Sequence, residues 1–201
     1  DLISLIGAIA SAVCLALILA AYTLFTAART EPKKVLMGLS FALLISMIMF
    51  VVAQQPKQNT TGCIAAGAIL HYFLLSAFFW MLCEGAQLYQ DFVILLGTTS
   101  RFRNMVIFAQ GVPAVVVAIT AGTNPDHYGE RAGSICWISD NAAFWASFAG
   151  PAFAVMLINL ILFVFVMRNI FDLADAQKSQ AKRAVTASVM FFVLMGVAWL
   201  P

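Results

Sequence analysis

Residues 63–90 read CIAAGAILHYFLLSAFFWMLCEGAQLYQ, and Glu84 is the one formal charge among them. A hydrocarbon core about 30 Å thick needs roughly 20 apolar helical residues, so this run is long enough to cross a bilayer as a single helix. Placing an ionisable group in such a helix costs at least about 2.5 kcal/mol, which directs Glu84 toward the bundle interior or water and makes it a functional candidate. Spacings of three and four put Phe73, Ala77, Trp80, Glu84 and Gln87 on one stripe, and that stripe is expected to face inward. The other reading is a glutamate that snorkels to the interface.

Outward from this run, five more long stretches lack interior charge. The six expected spans cover approximately residues 2–28, 35–53, 63–90, 105–121, 142–167 and 184–201, and residues 1–201 form one membrane bundle. The composition agrees: 63% of the 201 residues are apolar, and mean hydropathy is +0.95 over the whole chain. Too little polar side chain is left to cover a water-facing surface. A membrane β-barrel would show alternating segments of about ten residues, and these runs are far longer and apolar on all sides, so the class is all-α. A net charge of +2 gives no field for nucleic acid, and two histidines build no histidine-rich metal site. No zinc-binding HExxH, serine nucleophile elbow or phosphate-cradling glycine loop is present, so neither enzyme nor cofactor is expected.

The connections sort by charge. Arg29, Lys33, Lys34, Arg101, Arg103, Arg168, Lys178, Lys182 and Arg183 fall on one side, which is therefore expected to be cytoplasmic, with the amino terminus outside. The opposite loops hold Lys57 and Arg131 with Asp126, Glu130 and Asp140, and the glycosylation sequon at Asn59 falls among them. Cysteine placement adds a constraint. Cys14 lies mid-helix, and Cys83 sits about 30 Å below Cys63 at 1.5 Å per residue, so neither reaches the outer loops. Cys63 and Cys136 remain as an outer disulfide, worth up to about 4 kcal/mol by loop entropy; the alternative is two free buried thiols. With Asp1 almost at a helix and no leader in front of it, the chain is expected to be cut on its outer side. The apolar run still open at Pro201 gives the expectation of a seventh helix beyond it.

His71-Tyr72-Phe73, Trp80-Met81 and Glu84-Gly85 through Leu88-Tyr89 resemble the third-helix pattern of adhesion G-protein-coupled receptors, with its HYF start, W-M pair and E-G-x-x-L-Y end. Cys136-Trp137 resembles the family's second-loop disulfide cysteine and adjoining tryptophan, and Leu194-Met195-Gly196-Val197-Ala198-Trp199 its sixth-helix L-L-G-x-T-W. Gly111-Val112-Pro113 matches the end of the fourth-helix G-W-G-x-P motif, but Gln110 stands where tryptophan is expected and Ala109 replaces the first glycine. At the start of the second helix, Leu36-Met37-Gly38-Leu39 stands where the family has H-x-N-L, so Glu84 lacks the partner that the resemblance would supply.

The resemblance implies a bundle of seven helices in the plasma membrane, activated by a tethered hydrophobic peptide agonist that enters from outside. Phe73, Phe78, Trp80, Trp137 and Trp199 are the candidate agonist pocket, Glu84, Gly85 and Gln87 the polar core, and Gly196, Trp199 and Pro201 the candidate switch of a bending sixth helix. Pro113 and Pro151 are also expected to break a backbone bond within their spans. On the cytoplasmic side the implied partner is the α subunit of a heterotrimeric G protein, met by Tyr89, Ile94, Leu95, Leu96, Arg101, Lys182 and Arg183; lipid headgroups compete for the basic residues. Small residues (Gly67, Ala77, Gly85, Ala146, Ser147, Gly150) are expected at close helix contacts. Two other readings are a secretin-like peptide hormone receptor, and a transporter or proton relay that titrates Glu84.

Overall fold

The structure, a computed structural model, describes residues 2–24, 31–54, 60–91, 102–131 and 135–172. The candidate sixth span 184–201 lies outside them, as do Asn59, Ile94, Leu95, Leu96, Arg101, Lys182, Arg183, Gly196, Trp199 and Pro201. Helices α1 (Leu2–Leu24), α2 (Glu31–Ala53), α3 (Thr60–Tyr89) and α4 (Phe102–Thr123) are each long and apolar enough to cross a membrane. The fifth span is composite: α5 (Asn141–Phe144), a π turn (Trp145–Ala149), then α6 (Gly150–Asp172). Among the described residues, all five of these spans start or end three or more residues from the expected positions. α2 begins earlier because Glu31-Pro32 suits a first helical turn, where the missing proline N–H costs nothing.

α3 is the axis of the bundle. It packs against α2, α4 and α6, while among the described elements α1 leans mainly on α2. The residues Val35, Leu39, Ala42, Leu75, Ala77, Phe78, Trp80, Ala109, Phe148 and Val155 form the largest buried cluster, which runs through the centre of these helices. Because lipid tails are as apolar as these side chains, close approach of backbones holds the helices together more than water exclusion does. A Cβ at Gly38 would lie 2.6 Å from Cζ2 of Trp80, so the absence of a side chain on α2 is what admits the indole of α3. At Gly67 it would lie 3.4 Å from the backbone of Cys136 and Trp137, and at Gly85 it would overlap Oδ1 of Asn159 on α6. Ala77 and Ser147 are buried as small contact residues, whereas Ala146 faces out, on the far side of the π turn.

Between α4 and α5 lies a feature that an all-helical reading does not anticipate: a β-hairpin of β1 (Tyr128–Arg131) and β2 (Ile135–Ile138). The strands are antiparallel, with Tyr128 opposite Ile138 and Glu130 opposite Cys136. A 3-10 turn (Pro125–His127), capped by the Asn124 side chain accepting from the Asp126 N–H, feeds the chain into β1. The alternation of the second strand buries Cys136 and Ile138 against the helices. Cys136 is bonded to Cys63 at the start of α3, with Cα atoms 5.1 Å apart and 73 residues between them in sequence. Lys33, Lys34, Arg103 and Arg168 all lie toward the opposite end of the bundle from this hairpin, as the charge sorting of the sequence requires.

Asp140 caps α5: its carboxylate accepts from the N–H groups of Ala143 (2.9 Å) and Ala142 (3.4 Å), and Nδ1 of His127 stands 3.5 Å away. The Ala143 N–H, helped by Ala142 and His127, holds the Asp140 carboxyl below its ordinary value of 3.8. A depressed carboxyl adds stability that is fully present above its unfolded value and is lost as pH falls through its folded one. The melting temperature of the native protein is therefore expected to exceed that of Asp140→Asn at pH 5 to 7, as a rough range, and the gap to close on acidification below the ordinary carboxylate value. A thermal-shift series across pH reads this directly, and a gap independent of pH would contradict it. At the other end of α3, Gly38→Val forces carbon into the Trp80 ring and is expected to cost about 1–3 kcal/mol, seen as a fall in melting temperature that Gly7→Val does not share.

Candidate functional site

The hairpin end of the bundle is built around His71. Its ring is fully buried, with Nδ1 2.9 Å from the Tyr128 hydroxyl and Nε2 3.1 Å from the Ser147 carbonyl. A carbonyl can only accept, so Nε2 carries the ring proton of the neutral imidazole and Nδ1 accepts from the Tyr128 O–H. Burial pushes the Tyr128 phenol up to about 12, which keeps it a donor at any physiological pH. Around the imidazole stand Trp137, Phe148 and Tyr128 with ring centroids at 6.0, 5.8 and 6.1 Å. Trp137 also meets Phe148 edge-on at 5.2 Å, and Phe78 meets it from below at 6.1 Å. One histidine thus ties α3 to the disulfide-held hairpin and to the fifth span.

Local sequence explains why Ser147 needs this donor. In a regular helix its carbonyl would accept from the N–H of residue 151, but that residue is Pro151. The chain answers with a π turn, in which the Gly150 N–H reaches back to the Trp145 carbonyl, and a Cβ at Gly150 would stand only 2.8 Å from that oxygen. The same arrangement recurs on α4. Pro113 leaves the Ala109 carbonyl without its helical donor, and the Ser76 hydroxyl of α3 points at it from 3.1 Å. That hydroxyl also lies 3.1 Å from Oε1 of Gln110, which accepts from the Tyr72 hydroxyl at 2.6 Å. Gln110, conspicuous in the sequence for standing in place of a tryptophan, is therefore a polar clamp between α3 and α4.

The described candidate pocket residues fall in three places. Trp137 and Phe78 share Phe148 and belong to the aromatic cup at the hairpin end. Phe73 instead meets Phe41 of α2 at 6.4 Å, on the flank of the bundle. Trp80 lies deeper, between Gly38 and Phe102, and among the described residues its Nε1 finds no hydrogen-bond acceptor. Of the polar core, Gly85 receives Asn159 of α6, whose buried Oδ1 also lacks a described donor, and Glu84 and Gln87 are half-buried beside it on α3. Tyr89 closes that end of α3 with its ring 6.1 Å from that of Phe165. Asn159 had no weight in the sequence reading, and Ser147 entered it only as a small residue at a helix contact. The separation of four between Ser147 and Pro151 is the signal that singles out the second of them.

A helical bundle of this kind, with a disulfide from the head of its third span to a loop bearing Trp137, matches the family model described as 7 transmembrane receptor (Secretin family) over residues 1–201. Adhesion G protein-coupled receptor L4 of Homo sapiens is 28% identical over 205 residues, covering 98% of this chain and 29% of that protein. Adhesion G protein-coupled receptor E2 of Rattus norvegicus is 31% identical over 212 residues, covering 99% of this chain and 22% of its own length. For adhesion G-protein coupled receptor D1 of Homo sapiens the values are 30% over 209 residues, 98% and 24%. The chain thus spans less than a third of the length of these curated relatives. With a multi-pass helical bundle matched from end to end, the chain belongs to the secretin-type family of seven-transmembrane G-protein-coupled receptors, and its relatives there are adhesion receptors.

Proposed function

We propose that the chain is the membrane region of an adhesion-type receptor in the plasma membrane, with its amino terminus outside. A tethered hydrophobic peptide agonist enters at the hairpin end, and a heterotrimeric G protein couples at the other. The observation that carries this reading is the aromatic cup: Trp137, presented by a disulfide-held hairpin, lies against Phe148 and His71 directly over the α3 core. An apolar peptide segment meets there the half-buried Trp137, backed by the buried rings of Phe148 and His71, with few polar groups to desolvate, which is how apolar ligands are held. Phe73 and Trp80 touch other helices and act on such a ligand only through the packing of α3. Supporting the inner half of the reading, the basic residues cluster at the end remote from the cup, beside Tyr89 and the close α3–α6 contact. The G-protein cradle of Ile94, Leu95, Leu96, Arg101, Lys182 and Arg183, and the sixth-helix switch at Gly196, Trp199 and Pro201, stay part of the proposal as sequence expectations. Glycosylation at Asn59 has the same standing.

The relatives favour the adhesion reading over a hormone receptor of the secretin type, and the family match favours signalling over proton relay by Glu84. Trp137→Ala removes an aromatic anchor worth about 1.5–3 kcal/mol, so the concentration of synthetic agonist peptide giving half-maximal G-protein activation is expected to rise roughly tenfold or more at unchanged surface expression. An unchanged dose response would remove the cup from the agonist site. For the inner half, Glu84→Gln is expected to alter G-protein activation without creating or abolishing proton flux across vesicles. Proton flux in the native protein that this variant abolishes would restore the relay reading.

A further inference from the structure

The π turn fixes the rotational phase of everything that follows it. A π turn holds one residue more than the α-helical turn it replaces, so α6 is out of register with a continuous helix from Asn141 by one residue, about 100° and 1.5 Å. In the register observed, Ala152, Val155, Asn159 and Val166 form the buried stripe of α6, and Ile158 and Leu160 face outward. If the π turn were resorbed into α-helix with α5 fixed, each residue of α6 would move to the place held by its successor. Asn159 would then turn toward the outward position of Leu160, and Ile158 would take the place against Gly85.

Both ends of this coupling are marked by polar atoms. At the hairpin end, the Ser147 carbonyl is satisfied from outside its own helix by Nε2 of His71, which is itself held by Tyr128 of the hairpin. At the other end, Oδ1 of Asn159 is buried over Gly85 and has no donor among the described residues. From Phe153 to Phe165 the exposed face of α6 (Phe153, Leu157, Ile161, Val164, Phe165) is apolar among the described residues, so a turn of the helix there exchanges one hydrocarbon for another. Over this stretch the Asn159 amide and the Ser147 carbonyl are the polar groups that a change of register relocates.

We propose that the His71-capped π turn is a register switch, through which the position of the hairpin determines whether Asn159 or Ile158 faces Gly85 at the far end of the bundle. His71 acts as a positioning residue. Displacing the hairpin moves Tyr128, loosens the imidazole from Ser147 and so removes the bond from α3 that favours the π form of the turn. This inference concerns geometry and stands whether or not the signalling reading above is correct.

Cysteine cross-linking in membranes tests it on the full-length protein with Cys14→Ala and Cys83→Ala. One pair is Gly85→Cys with Asn159→Cys; the other is Gly85→Cys with Ile158→Cys and Asn159→Ala, which leaves room for the new side chain at 85. Oxidation is read as loss of maleimide-reactive thiol. With His71 and Pro151 native, the 85/159 pair is expected to oxidise roughly tenfold faster than the 85/158 pair. His71→Phe removes the donor to Ser147, and Pro151→Ala returns a helical N–H that competes with it; each is expected to invert the preference. Retention of the 85/159 preference in both variants overturns the switch, as does inversion by Pro151→Ala alone when His71→Phe reaches the surface. If His71→Phe fails to reach the surface, the Pro151→Ala result decides the register switch by itself.

Discussion

A proline inside a membrane helix frees one carbonyl in a medium that offers no water, and every such carbonyl must find a donor in the protein. Here two prolines, Pro113 and Pro151, stand on two different spans, and the carbonyls they free, Ala109 and Ser147, are both met from α3, by Ser76 and His71. The central helix is thereby obliged to lie between its neighbours in one rotation. Leaving either buried carbonyl unpaired costs about 1–3 kcal/mol, comparable with the small-residue contacts at Gly38 and Gly85 that set how close the helices come. Spacing comes from the glycines, and phase comes from the carbonyls.

The hairpin extends the same constraint to the surface. The Cys63–Cys136 bond restricts where Trp137 can sit, but a single tether leaves the hairpin free to rock. Tyr128 removes that freedom by donating to His71, and Gly67 lets the Cys136–Trp137 backbone settle against α3. The aromatic cup is thus a wall assembled from three elements, each held by a different kind of bond. Under the proposed function, such a surface leaves an apolar peptide little ordering to do on contact.

Much of this was legible in the sequence, where the physics is long-range and one-dimensional. Charge-free runs correspond to the five long apolar helices among the described residues, because bilayer thickness is a length. Cys63 and Cys136 were the pair that could meet, because helix rise is fixed. The stripe of Phe73, Trp80 and Glu84 was harder, since an all-apolar helix carries no amphipathic signal to say which faces meet protein and which meet lipid. Phe73 and Trp80 share a stripe by spacing yet touch different neighbours. The hairpin escaped notice because its strands are four residues each and take their meaning from a disulfide and a tyrosine, not from alternation over a long run. Gln110 was visible only as a departure; that it joins Tyr72 and Ser76 depends on how α4 faces α3.

The π turn also has an evolutionary consequence. Inside a packed transmembrane helix, insertion or deletion of one residue ordinarily rotates half the helix out of its contacts. Between Trp145 and Gly150 the chain already carries a surplus residue, so a descendant lacking it keeps both flanks in place provided the turn closes as ordinary helix. Alignments of this chain with longer relatives should accordingly open a fifth-span gap there and nowhere else in that span, and the glycine beside Pro151 marks the spot.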